Sequence, residues 1–230
     1  GGVVVLCGVG GVEPQTETVW MHANRDNLPR LLFINKLDRL GSDFNRVLGE
    51  VHERLTEKAV PIQVPIGQEG DFRGAVDLLE ERAVIWEDGE DIPSEEPVPA
   101  DMKEQVASLR AALVEAICET DDKLLERWLE GEEPDVETLK QALRRAVINN
   151  DLMPVLCGAS REHIGVQPLL DAIVEYLPAP TDLKPILGTV PGNGDEIIER
   201  PDDPDAPFCA AAFKIVTDPH VGHLTWVRVF

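Results

Sequence analysis

Apolar residues in this chain fall into runs of two kinds. Val3-Val4-Val5-Leu6-Cys7, Leu31-Leu32-Phe33-Ile34 and Met153-Pro154-Val155-Leu156-Cys157 are continuous. Unbroken short runs of this type predict strands buried on both faces, as in a parallel sheet. Other stretches repeat at helical spacing. A helix is predicted over 15–25, with Val19, Trp20 and Ala23 turned inward. A second, capped by Ser42, carries Phe44, Val47, Leu48, Val51 and Leu55. A third, over 166–177, carries Leu169, Leu170, Ile173, Val174 and Leu177. The order is β-α-β-α, then a long gap, then β-α, and right-handed crossovers between parallel strands are expected.

The gap has a pattern of its own. Strands are predicted over 60–66 and 83–86. Asp101 with Glu104 resembles a capping box ahead of a helix bearing Met102, Val106, Leu109, Leu113 and Ile117. A short helix over 121–130 ends at Gly131, and Asp135 caps another with Val136, Leu139, Leu143 and Val147 on one face. These stripes are core faces of a self-contained α+β module. Downstream, Pro178-Ala179-Pro180 ends the last helix. The stretch from Gly192 to Pro207 is rich in Gly, Pro, Asp and Glu and reads as a linker. Alternating strands over 208–216 and 224–230 then flank a turn at Asp218-Pro219-His220-Val221-Gly222, like the first hairpin of a β-barrel that stops in mid-strand. The expected fold class is α/β: an incomplete, mostly parallel sheet of the P-loop NTPase kind with an α+β insert, then the beginning of a β-barrel domain. The expected division is 1–58 and 151–180 for the core, 59–150 for the insert, 181–207 for the linker and 208–230 for the truncated second domain.

Composition narrows the class. The chain has 230 residues, and a hydrophobic content of 43% suffices for a real core. No apolar run approaches the ~18 residues that suggest a membrane span, and no secretion signal opens the sequence. Cys7, Cys118, Cys157 and Cys209 are widely spaced in apolar surroundings, which fits free thiols in a reducing cytoplasm. The net charge of −22 argues against binding DNA. It is unevenly placed. Residues 69–137 hold 23 acidic and 6 basic residues, whereas the other 161 residues hold 20 and 15. The charge therefore marks the gap as a module inserted into a nearly balanced host.

The candidate chemistry sits at the end of the second continuous strand, in Asn35-Lys36-Leu37-Asp38. Open parallel sheets place ligands at the carboxyl ends of their strands. Guanine presents two adjacent donors, the ring N1–H and the exocyclic amine, and a carboxylate such as Asp38 accepts both in one planar fork. Adenine would leave that carboxylate unpaired, and such polar sites reject the wrong partner by roughly 10⁴–10⁵. The Asn35 amide can bond the base and brace a neighbouring loop, and the Lys36 stem can lie along the purine plane. The chain contains no Gly-x-x-x-x-Gly-Lys-Ser/Thr phosphate loop and no Asp-x-x-Gly segment before the first strand to organise magnesium. Gly8-Val9-Gly10-Gly11 is a flexible strand-to-helix turn, followed by no lysine.

Several segments together resemble translation elongation factor G, the ribosomal translocase: Gly10 through Trp20, Phe33 through Arg39, Gly165 through Ala172, Tyr176 through Pro180, and Ala212 through Pro219. The resemblance spans nearly the whole chain. It implies a cytoplasmic GTPase domain interrupted by an insert and followed by a β-barrel, binding GTP or GDP, with Mg2+ in the full-length parent. The implied partners are the ribosome, through its RNA and its stalk protein, and neither a membrane nor DNA. Asn35, Lys36 and Asp38 resemble the guanine-specificity motif, and Cys157-Gly158-Ala159-Ser160 resembles the second base-contacting loop. There the family has Ser then Ala, where this chain has Ala159 then Ser160. A backbone N–H contacts guanine O6, so the swap bears on bracing and affinity rather than specificity. Arg161 could flank the base or simply be solvated. Without a phosphate loop the chain by itself is expected to be an inactive fragment. Two other readings stay open: a ribosome-protection or ribosome-recycling paralogue, and a non-hydrolysing acidic protein-interaction module.

Overall fold

The three continuous apolar runs form β1 (Gly2–Cys7), β2 (Arg30–Asn35) and, later in the chain, a third buried strand over Met153–Cys157. Between the first two runs α1 (Pro14–Arg25) crosses over, starting at a proline whose missing N–H costs nothing in the first turn. α2 (Phe44–Arg54) follows β2 and leads to β3 (Ala59–Pro61). In this computed structural model the described residues are 1–87, 92–182, 185–190, 193–203 and 205–229.

After β3 come β4 (Gln63–Ile66), β5 (Gly74–Asp77), β6 (Arg82–Ile85) and β7 (Ser94–Pro97). They pair in sequence as an antiparallel meander. α3 (Lys103–Cys118), α4 (Asp122–Leu129) and α5 (Val136–Ile148) complete the acidic region. The chain then returns to the first sheet as β8 (Met153–Cys157) and leaves it through α6 (Val166–Tyr176). The first sheet has the order β1-β2-β8-β3, and its pairs are parallel.

Side chains alternate cleanly through this sheet. Leu31, Phe33 and Leu156 join one buried cluster, and Leu32, Ile34, Val155 and Cys157 join the other. The second cluster holds Trp20 of α1 and Phe44, Val47 and Val51 of α2. The first holds Tyr176 of α6 together with Val64, Val76, Ile117, Leu139 and Leu143 from the acidic region. That region is therefore not self-contained. Its apolar face covers one side of the parallel sheet.

Several expectations need correction. The strand predicted over 60–66 is two strands: Ala59–Pro61 pairs in parallel with β8, and the chain turns at Ile62 to enter the antiparallel sheet. Residues 59–61, assigned to the insert, thus lie in the core sheet. Ser42 does not cap α2. It is 1% exposed and its hydroxyl donates to the Leu37 carbonyl (2.8 Å), while Asp43 caps the helix by accepting from Arg46 N–H. α3 starts at Lys103 without a side-chain cap, so Asp101 and Glu104 form no capping box. Trp20 is buried but Val19 is 44% exposed, because α1 turns the larger side chain to the sheet.

Residues Pro178–Phe230 cluster as a second unit, separate from Gly1–Leu177. β9 (Ile186–Val190) and β10 (Asn193–Arg200) form an antiparallel hairpin within the stretch expected to be a linker. Ile197 and Ile198, paired with Thr189 and Gly188, carry a strand signal that the surrounding Gly, Pro and acidic residues dilute. β11 (Ala210–Asp218) and β12 (Gly222–Val229) form the expected second hairpin, with Asp218 Oδ1 accepting from His220 and Val221 N–H in its turn. Gly192 and Phe230 lie outside the described residues.

Candidate functional site

β2 ends at Asn35, and the next residues are tied to the strands on either side. Gly8 N–H donates to the Asn35 carbonyl (2.7 Å), Gly158 N–H to the Ile34 carbonyl (3.0 Å), and Leu37 N–H to the Gly158 carbonyl (3.2 Å). Lys36 sits in the left-handed region at φ 66°. A side chain with a Cβ is held there at a cost of about 1–2 kcal/mol. Its N–H donates to Asn35 Oδ1 (2.8 Å), so the asparagine side chain helps to hold the turn. Leu37 is 3% exposed and anchors the motif, leaving Lys36 exposed and Asp38 partly exposed.

The second loop follows β8. Ala159 and Ile164 exchange backbone hydrogen bonds (2.9 and 3.2 Å), which closes the loop on itself. Gly158 is required at its base: a Cβ there would lie 2.6 Å from the Phe33 ring. Ala159 is 1% exposed and Ser160 faces outward. The two loops meet in a reciprocal pair. Ser160 N–H donates to Asn35 Oδ1 and Asn35 Nδ2 donates to Ser160 Oγ, both at 2.9 Å. The hydroxyl absent from position 159 is thus present one residue later, bound to Asn35.

Of the five residues singled out from sequence, Asn35 and Ser160 are in direct contact and Lys36 is bonded to Asn35 through its backbone. Asp38 carries its ion pair with the neighbouring Arg39 (3.3 Å) rather than with the second loop. A base approaching Asp38 would have to share or displace that guanidinium. Ala159 contributes a buried wall. An open depression of about 440 Å3 is bordered by Cys7, Val9, Lys36, Arg39 and Leu40.

The glycine turn, expected to be flexible, is clamped by residues that the sequence reading missed. Arg46 Nη2 donates to the Gly8 and Val9 carbonyls (2.9 and 2.8 Å) and also pairs with Glu50. Glu50 Oε2 accepts from Val12 N–H (2.9 Å). That bond, aided by Arg46, holds the Glu50 carboxyl below its usual range. Arg54 reaches the Val12 carbonyl and Glu17. The Arg-Glu-Arg spacing of four along α2 is a legible helix-face ladder. Its target, 37–42 residues earlier in the chain, is not.

Cys157 is buried, and burial pushes its thiol far up, so it is inert. Among the described residues no three His, Cys, Asp or Glu side chains converge to hold a metal ion. No helix among these residues is long and apolar enough to cross a membrane.

Residues 1–179 match the elongation factor Tu GTP binding domain. A protein from Thermus thermophilus, known from its crystal structure, is similar over 99% of this chain at 33% identity, with a TM-score of 0.79. The match covers 31% of that relative's own chain. The strand-end motif, the loop bonded to it and the sheet that carries both lie inside the matched segment, and the chain belongs to the elongation factor Tu GTP-binding domain family.

Proposed function

We propose that this chain carries the guanine-recognition half of a translational GTPase of the elongation factor G kind, whose parent hydrolyses GTP to move transfer and messenger RNA through the ribosome. The observation that carries the reading is the reciprocal Asn35–Ser160 pair. It joins two loops 125 residues apart at the carboxyl end of the parallel sheet, beside an exposed Lys36 and an accessible Asp38 carboxylate. In this role Asp38 accepts the guanine N1–H and amine, Lys36 covers one face of the purine, and Asn35 fixes the loop of Ala159 and Ser160 at the base edge. Phosphate contacts and the group that orients the attacking water have no counterpart among these residues, so the chain alone binds guanine nucleotides weakly and does not hydrolyse them. GTP or GDP is the ligand, and magnesium belongs to the phosphate half of the site.

The acidic region supports the choice of partner. Its charge is segregated from the rest of the chain, which suits a basic protein surface on the ribosome, the stalk protein in this reading. A cytoplasmic location follows from that partner.

Replacing Asp38 tests the central claim. In the full-length parent, Asp38→Asn should shift preference from guanine to xanthine nucleotide by about a hundredfold or more, because the amide donates where xanthine has a carbonyl. Competition binding with the two nucleotides measures it. Unchanged guanine preference would remove Asp38 from the base-reading role.

A further inference from the structure

The loop that presents Asp38 is held from outside by the region that leaves the parallel sheet. The two ends of the loop are buried: Leu37 is 3% exposed and Ser42 is 1% exposed. The stretch between them is not. Residues 39–41 are exposed, Leu40 to 85%, so packing does little to fix the backbone beside Asp38. Some bonds are internal to the loop. Arg39 N–H donates to the Lys36 carbonyl (3.2 Å) and Ser42 N–H to the Arg39 carbonyl (3.0 Å). Two further backbone groups are met by consecutive side chains of a later segment. Gly41 N–H donates to Glu69 Oε1 (2.7 Å), and Gln68 Nε2 donates to the Ser42 carbonyl (3.1 Å). The partners stand 28 and 26 residues downstream, past the point where the chain turns away from the core sheet.

The segment that reaches across is itself firmly built. Glu69–Asp71 forms a single 3-10 turn. Asp71 N–H donates to the Gln68 carbonyl and Phe72 N–H to the Glu69 carbonyl, both at 3.0 Å. Gly67 enters the turn at φ 82°, where a Cβ would lie 2.0 Å from the Asp71 carbonyl oxygen. Phe72 leaves it 6% exposed, in the same buried cluster as Leu37 and Phe44. The turn and the loop thus share one patch of core beneath them and two side-chain bonds above it. Glu69 lies at φ 53°, in the left-handed region. Non-glycine residues are held there at a cost, and they gather at ligand sites and switch regions. From that position the Glu69 carboxylate accepts the Gly41 N–H, a charge-assisted bond of the stronger kind.

We infer that Glu69 and Gln68 are positioning residues for the base-reading carboxylate. They fix the backbone at Gly41 and Ser42, and through it the aim of Asp38 at the two donors of guanine. Such a group has to be held within about 0.5 Å of its productive place. The inference rests on the role of Asp38 given above. It makes the start of the inserted region part of the nucleotide site, acting through the loop rather than on the base.

The test has two arms. In the chain itself, without nucleotide, amide hydrogen exchange of Gly41 reports the bond. Glu69→Ala should speed it about tenfold. Glu69→Gln, which keeps an acceptor oxygen, should restore most of the protection. In the full-length parent, competition binding compares GDP with inosine diphosphate. Inosine lacks the exocyclic amine, so the ratio of the two affinities reads one arm of the Asp38 fork. The wild type should prefer GDP by about tenfold or more. Glu69→Ala combined with Gln68→Ala should lower that ratio about threefold or more, and Glu69→Gln should keep it. Gln68 is exposed and Glu69 half-buried, so these variants keep the fold. A double variant that weakens both nucleotides alike, with the ratio unchanged, would overturn the inference and leave the role of Asp38 standing. Unchanged Gly41 exchange in Glu69→Ala would overturn it as well. A wild type with no preference for GDP would overturn the role of Asp38 and this inference with it.

Discussion

The two faces of the parallel sheet are covered in different ways. On one, α1 and α2 are the crossovers that the strands themselves require, and they deliver Trp20, Phe44, Val47 and Val51 to Leu32 and Ile34. On the other, Leu31, Phe33 and Leu156 are covered by α6 and by a region that leaves the sheet at Ile62 and returns to it at Met153. Both faces are equally dry: Leu31, Leu32 and Ile34 are 0% exposed and Phe33 is 2% exposed. An inserted segment can thus become structural while its outer surface is free to take on an extreme charge. Net charge bears on solubility and encounter, and burial determines the fold.

The largest effect should come from breaking the cover on the inserted side. Leu143 of α5 is fully buried in the cluster that holds Phe33. Leu143→Ala should cost about 2–5 kcal/mol, seen in urea unfolding. It should also lower hydrogen-exchange protection of the β2 amides, not only those of α5. If β2 keeps its protection while α5 loses it, the inserted region is an independent module and the comparison fails.

A smaller effect separates two carboxylates, one in each cover. Asp77 of β5 has its carboxyl pushed up, chiefly by burial, although it accepts from Leu79 and Glu80 N–H (both 2.9 Å). Glu50 of α2 is held low. A raised carboxylate pKa favours the folded state at low pH, and that contribution is lost as pH rises through the raised value. A lowered one contributes above the ordinary carboxylate range and is lost as pH falls. Asp77→Asn should therefore gain up to about 1 kcal/mol at pH 7 and lose the advantage in acid. Glu50→Gln should lose about 1 kcal/mol at neutral pH and converge on the wild type as pH falls. Urea midpoints from acid to neutral pH check both slopes, and parallel slopes would reject the assignment.

The smallest effect on the fold should come from the acidic exterior. Glu104, Glu115 and Glu119 of the α3 region are exposed. Changing all three to lysine should alter stability by no more than about 0.5 kcal/mol per site. On the partner proposed above, association of the full-length parent with ribosomes should slow, most visibly at low ionic strength, where exposed charges are least screened. Identical association rates across a salt series would reduce the acidic surface to a solvated face.

Sequence alone located the strand that ends at Asn35, because an unbroken apolar run followed by a polar turn is a strong local signal. It missed β7, where Ser94-Glu95-Glu96-Pro97 has neither alternation nor β-branched residues. An edge strand tolerates such a segment because only one side of its backbone pairs. It also misplaced the cap of α2, since Ser42 and Asp43 are equally good on propensity and only burial beneath Leu37 decides between them. The bond between Asn35 and Ser160 and the clamp of Arg46 on Gly8 were not legible, because pairings of 125 and 38 residues leave no periodic trace in one sequence.

The register of β2 against β8, with Leu32 opposite Val155, has a consequence for how the chain is made. The strand that presents the candidate base-reading motif pairs early with β1, which lies just behind it in the chain. Its other edge must wait for a partner about 120 residues ahead, which at ordinary rates of synthesis is on the order of ten seconds. During that interval an apolar strand edge stands open, the kind of surface that invites wrong pairing. The first sheet cannot close until the intervening meander and helices have brought β8 back within reach, a long loop whose closure slows folding more than it weakens the product. The length of the acidic region thus fixes the earliest moment during synthesis at which the strand ending in Asn35 can gain its second neighbour.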